Sequence, residues 1–309
     1  MEMSTVPGSW ELASLVCKFL FYLGAASAFG GSLSLWFYGD GSRATVQRVL
    51  FYQLLTAFLG FQAVVINFLV QIGLINNSGI AGAFDWGMAE ILLQTQLGDL
   101  SLYRLMGFTV MIGTSLFFFL SCRDLRSAPD SNFYRRNIFG NTVGFLLLAL
   151  SFRFGGHVSV LHPAVQFVLV IHFAAFAFWI GALYPLYLVS ASDNIENLKL
   201  ALKKFGEHAM AVVLALVVAG VILAFNLLHS VMELVETPYG RTLLLKQLLV
   251  VALLGIAALN KLVLVPGLIA QGNAEKFRNS VRVEVVVASL LLAVTAYLST
   301  VVGPMSHDM

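Results

Sequence analysis

Charge is what this sequence of 309 residues has least of: Asp, Glu, Lys and Arg make up 11% of it, against 59% hydrophobic residues. A chain so poor in charge cannot cover itself for water, and its mean hydropathy of +0.87 fits a protein whose solvent is mostly lipid. With only two cysteines, Cys17 and Cys122, a disulfide scaffold is excluded. No GxxxxGK(S/T) phosphate loop, phosphorylatable aspartate motif or CPC membrane motif is found, which argues against an ATP-driven pump. No catalytic constellation stands out, so we expect no enzyme and no resident organic cofactor, and nothing in the chain suggests a nucleic-acid partner. The N-terminal segment also lacks the basic start and small-residue cleavage site of a signal peptide, so residues 11–37 are expected to stay as a span.

What remains is apolar sequence. Stretches of the roughly 20 residues needed to cross a hydrocarbon core occur near 11–37, 45–73, 102–121, 137–154, 163–190, 206–230, 240–265 and 281–302. These predict an all-α polytopic bundle of eight transmembrane helices. Between the second and third spans lies AFDWGMAEILLQTQLGDLS, too short and mixed to cross, which predicts a short interfacial helix. The chain reads as a single integral membrane domain, divisible into an N-terminal half (1–136) and a C-terminal half (137–309).

Basic residues set the orientation. If both termini face outward, the inner loops receive 13 of the 18 Lys and Arg residues, among them Arg43, Arg123, Lys203 and Lys276. The positive-inside rule therefore predicts an N-out, C-out topology. Cys17 and Cys122 then lie at opposite ends of the bilayer, too far apart to bridge. Eight acidic residues fall on each side, leaving the outer half net negative and attractive to cations.

In that frame the soft ligands sort to one side. His157, His162, His172, His229 and His307 fall in the outer half with Met232, Met305 and several further methionines, while His208 and Met210 are inner exceptions. Imidazole suits Cu(II) and thioether suits Cu(I), whereas zinc or magnesium gains little from methionine. Copper, in either oxidation state, is the ion this mixture fits. The C-terminal MSHDM adds Met305 and His307 within a few residues.

His172 differs from the rim residues. Counted from Pro163, a favoured first helical residue, it lies about 13–14 Å into the fifth span at 1.5 Å per residue. An ionisable group at that depth is expected to face the bundle interior and to have a partner. Trp179, seven residues on, shares its face, and Asn226, His229 and Met232 line one face at the end of the sixth span. Further polar residues mark the interior, notably Lys246 and Asn260; a lysine that deep needs a partner, with Glu90, Asp99 and Glu236 as candidates.

The stretches LLQTQLGDL (92–100), GGH (155–157), IHFAAFAFWIGALYPL (171–186), VVAGVILAFNLL (217–228) and YGRTLLLKQLLVVALLGIAALNKLVLVPGL (239–268) resemble, in order and over nearly the whole chain, the CopD family of bacterial inner-membrane copper-resistance proteins. The resemblance implies an eight-span protein of the inner membrane that receives copper on the periplasmic side, alongside a small periplasmic copper-binding partner of the CopC type, and moves it inward. It carries over Gln94, Thr95, Gln96 and Gly98 in the interfacial segment, His157, His172, Trp179 and Gly181 around the fifth span, and Lys246, Asn260 and Pro266 in and after the seventh. The family pattern has further histidines where this chain has Val165 and Leu169, and its sixth-span histidine is shifted here to His208.

Two other readings use the same residues. A helix bundle with two histidines at one depth holds a b-type haem for electron transfer, with His172 as one axial ligand. A copper sensor or docking platform would need the rim ligands but no polar path through the interior. A homo-oligomer is compatible with all three.

Overall fold

A computed structural model of the chain describes residues 6–38, 42–125, 128–191, 195–228, 230–271 and 274–303, and every regular element in them is helical. The long elements are α1 (Ser9–Tyr38) and α2 (Arg43–Asn76), then α4 (Gln96–Asp124), α5 (Ser131–Leu150), α6 (Pro163–Ser190), α7 (Ile195–Leu227), α9 (Pro238–Leu259) and α11 (Glu275–Thr300). Short helices fill the gaps: α3 (Trp86–Leu93), the single turn α8 (Glu233–Glu236) and α10 (Val265–Gln271), which continues α9 through a π-turn at Asn260–Leu264. Pro266 accounts for that turn, because it has no N–H to give the Leu262 carbonyl and its ring pushes against it; the wider turn absorbs the misfit.

Local chemistry sets most helix starts. Ser42, Asp85, Thr95, Asp130 and Thr237 each accept a backbone N–H of the first turn through a side-chain oxygen, and Pro163 and Pro238 occupy first helical positions. Helix α2 stops where Asn77 turns left-handed (φ 46°) and its N–H closes on the Gly73 carbonyl. The segment expected to lie at the interface is η-turn and helix, with α3 only eight residues long. Capped by Thr95, α4 begins at Gln96, six residues before the apolar run suggested.

Among the described residues, seven helices are long and apolar enough to cross a membrane: α1, α2, α4, α6, α7, α9 with its continuation, and α11. The 20-residue α5 is excluded by composition, since it carries Arg135, Arg136, Asn137 and Asn141. It nevertheless runs antiparallel along α4, from Phe133, whose ring meets Phe118 at 4.8 Å, to Ser151 just beyond it, which accepts a bond from Arg104 Nε at 3.2 Å.

Helix α1 is the central post, packed on α2, α5, α6 and α11. It meets α6 at Gly30 and Gly181: a Cβ on Gly30 would run into the Ala177 carbonyl, and one on Gly181 into the Ala26 carbonyl. Small residues bring membrane helices to such distances because apolar side chains gain nothing by leaving lipid for one another. An aromatic core of Phe21, Phe29, Phe108, Phe145 and Phe173 fills the space around this contact, with Phe29 and Phe145 stacked at 4.2 Å. Helices α7 and α9 lie outermost: 11% of the apolar stretch of each is buried, against 50% for α6. They share a small cluster of Tyr239, Leu243, Ala224 and Leu228 at one end and elsewhere pack on α6 and α11 rather than on each other. The Lys18 ammonium donates to the Ser299 carbonyl, so the start of α1 and the end of α11 lie at the same face, here the terminal face. At the opposite, loop face, Arg43 donates to the Arg123 carbonyl and Arg278 to the Ser190 carbonyl.

Candidate functional site

His172 projects from α6 towards α7, half-buried, with Lys246 of α9 acting on the same ring. Its Nδ1 lies 3.1 Å from the Leu216 carbonyl of α7. A carbonyl oxygen only accepts, so Nδ1 carries the hydrogen and the ring's lone pair is on Nε2. The contact depends on Gly220: Leu216's carbonyl is also the helical acceptor of residue 220, and the missing side chain there opens it to the ring. A Cβ on Gly220 would stand 3.3 Å from His172 Cε1. From α9 the Lys246 ammonium comes close enough to interact electrostatically with the ring. The two depths are similar, about 13 Å for His172 and about 12 Å for Lys246 below the terminal face, a little over two turns into each helix at 1.5 Å per residue. The expected carboxylate partners of Lys246 do not reach it, and among the described residues it forms no ion pair. Trp179, two turns further along α6, is buried in the central core with its indole N–H unpartnered.

The rim residues are scattered more widely. His162 caps α6, its Nδ1 accepting from Ala164 N at 3.3 Å, so its Nε2 is left for other work. Met232 is 64% exposed in the terminal-face loop. His157 opens a 3-10 turn at the same face, and only its backbone is described. His229, Met305 and His307 lie outside the described residues. Asn226 returns its amide to the Ile222 carbonyl of its own helix at 2.8 Å, which takes that amide out of the proposed path. Gln94 and Gln96 are exposed beside Thr95, at the turn from α3 into α4. Among the described residues no three or more His, Cys, Asp or Glu side chains converge on a point where they could hold a metal.

Other interior polar groups separate into three places. Near the terminal face, Cys17, Lys18, Asn67 and Arg104 line a small cleft; Arg104 lies 4.3 Å over the Phe21 ring, and Asn67 accepts from Ser14 Oγ at 2.8 Å. In the middle of the α1–α2–α4–α5 half, Gln53, Ser115, Asn137 and Asn141 are fully buried, and each leaves at least one polar atom without a partner. Towards the loop face, Asn260 at the π-turn donates to Glu284 Oε1 of α11 at 2.7 Å, both residues being buried. Sequence reasoning about imidazoles passed over Glu284, although a carboxylate set in VRVEVVVASLLL is a signal in itself, since an acid inside an apolar span is functional by default. Cys122 is buried at the loop face, and both cysteines are free.

Residues 9–157 match the family described as Copper resistance protein D-like, N-terminal domain, and residues 199–298 match Copper resistance protein D. The two matches follow each other in the expected order, and the chain belongs to the copper resistance protein D family. It is thus a multi-pass helical membrane protein of a copper-resistance family. Residues 158–198, with His162, His172 and Trp179, lie between the two matched stretches. No curated protein and no solved structure matches the chain.

Proposed function

We propose that the protein takes copper at its terminal face, which faces the periplasm, and passes it towards the cytoplasm without ATP, as an inner-membrane bundle of eight spans with both ends outside. In this reading α5 is the eighth crossing, because it runs the length of α4, and the whole chain is one integral domain whose halves meet near residue 136. The concentration of basic side chains at the loop face supports the orientation.

The observation that carries the reading is the ring of His172. Its Nδ1–H is fixed by a backbone carbonyl, which leaves Nε2 as the ligand, the arrangement by which metal-binding histidines are oriented. Half-buried between its own helix and α7, it offers one nitrogen rather than a closed cage of ligands. A resident metal needs three or four converging ligands, whereas a transported ion must be held by few, good enough to load and poor enough to release. His157, His162, His229, Met232, Met305 and His307 are then collecting ligands at the mouth, loaded as Cu(I) or Cu(II) from a small periplasmic carrier of the CopC type, and Lys246 is the positive group that helps expel the ion. An axial haem pair is not favoured: His162 and His208, the other histidines whose side chains are described, stand at the two ends of the bundle. Copper uptake into proteoliposomes containing the wild-type protein or His172→Ala tests the proposal, which requires uptake by the first and none above background by the second.

A further inference from the structure

We propose that Glu284, held by Asn260 beside the π-turn, is an exchangeable proton site in the half of the bundle opposite His172. The pair lacks one hydrogen. Asn260 Nδ2 donates to Glu284 Oε1 at 2.7 Å, and Asn260 Oδ1, on the same amide, is buried without any partner. A carboxylate there faces one neutral donor and an amide oxygen that can only accept. A proton placed on the carboxyl changes this: the acid O–H becomes a donor beside the orphaned Asn260 oxygen, and acid and amide can pair through two hydrogen bonds. Without it, an ionised group is buried with no cation, an arrangement that proteins rarely tolerate.

No neighbouring charge takes the place of that proton. On α11, Arg282 is turned to the Tyr187 hydroxyl and Asn279, and Arg278 donates to the Ser190 carbonyl. From the π-turn Lys261 points out of the bundle, and on α7 Lys203 and Lys204 are exposed while Leu198 and Leu202 face α11. Helix α6 brings Tyr184 and Tyr187, and of the ionisable groups of α1, Glu11, Cys17, Lys18 and Tyr22 belong to its terminal-face half while Tyr38 ends the helix. Lys246 is 14 residues up the same helix as Asn260, about 21 Å away at 1.5 Å per residue. Among the described residues the Glu284 carboxyl has the Asn260 amide as its hydrogen-bond partner and forms no ion pair.

The location adds a mechanical element. Asn260 opens the π-turn that Pro266 imposes, and a π-turn with one unsatisfied amide can rearrange by a residue without breaking the helix on either side. Loading and unloading Glu284 would favour different arrangements of that turn. Lys246 and Asn260 lie roughly on one face of α9, so the turn shares a helix face with the lysine that acts on His172. That the proton moves in step with copper rests on the proposed function; that Glu284 exchanges a proton does not.

Infrared difference spectra of the full-length protein in nanodiscs, recorded between acid and alkaline pH in water and in heavy water, test this directly. The expected result is a deuterium-sensitive carbonyl band of a buried protonated carboxyl, lost as pH rises and absent in Glu284→Gln, whose amide reproduces the paired geometry. Asn260→Leu, which removes the donor seen among the described residues, must shift the same band, so the assignment does not depend on one variant folding. A band absent at every pH, present at every pH, or unchanged in Glu284→Gln overturns the proposal. Copper content measured on the same samples separates this outcome from a failure of the copper reading.

Discussion

His172 gives its Nδ1 hydrogen to the Leu216 carbonyl of the neighbouring helix across 3.1 Å, and Lys246 of α9 acts electrostatically on the same ring. This one contact sets the tautomer, ties α6 to α7 and leaves the ring's lone pair on Nε2. Several expectations rest on it and on the packing around it.

Gly220 is the residue that admits the ring. Gly220→Ala asks the imidazole to give way by a few tenths of an ångström, and Gly220→Leu asks for far more. Copper affinity, measured by competition with a chromophoric chelator, should fall several-fold in the alanine variant and at least tenfold in the leucine variant, with helix content by circular dichroism unchanged. An affinity that ignores Gly220→Leu would separate copper from this ring.

The α1–α6 contact at Gly30 and Gly181 leaves no room for a side chain. Gly181→Val should cost more than about 3 kcal/mol through overpacking and the loss of close helix approach, seen as a collapse of monodisperse yield in size-exclusion chromatography. Gly113, with open space around its Cα, should accept alanine with no such effect.

Arg104 contributes through its stem and its plane as well as its charge. It lies over Phe21 at 4.3 Å and Phe152 at 5.8 Å and bonds Ser151. Arg104→Ala should lower thermal stability by about 2 kcal/mol, and Arg104→Lys should restore only part of it, because an ammonium has no planar face to lay on a ring. Equal melting temperatures for wild type and Arg104→Ala would show that the guanidinium does not hold these elements together.

Gln53 is the opposite case. Fully buried, with both amide atoms unpartnered, it costs about 1–3 kcal/mol for the desolvated groups. Gln53→Leu should therefore leave stability unchanged or raise it. A fall in melting temperature would mean that the amide has partners of its own, such as buried water.

Much of this architecture could be read from residues in order. Pro163 and Pro238 mark helix starts, Thr95 and Asp130 cap the helices that follow them, and Gly181 sits where α6 must come close to α1. The depth of His172 follows from counting turns after Pro163. Helix α5 was harder, because Arg135, Arg136, Asn137 and Asn141 lower its hydropathy while its neighbours α1 and α4 hide the last two; only packing reveals that those amides are interior. The partner of His172 was not legible either. A main-chain carbonyl on another helix has no signature in sequence, and Gly220, which exposes it, reads as an ordinary glycine of a membrane helix. Glu284 was legible by its setting, but its pairing with Asn260 depends on the π-turn, and that in turn depends on how the helix accommodates Pro266.

The measurement closest to the central claim is metal analysis of purified wild-type protein, His172→Ala and His208→Ala after loading with copper, joined to X-ray absorption at the copper edge. The account predicts bound copper with nitrogen and sulfur neighbours in wild type, loss of copper from His172→Ala, and full retention in His208→Ala, whose ring lies at the loop face beside Phe37. The same copper content and the same spectrum in wild type and His172→Ala would contradict it.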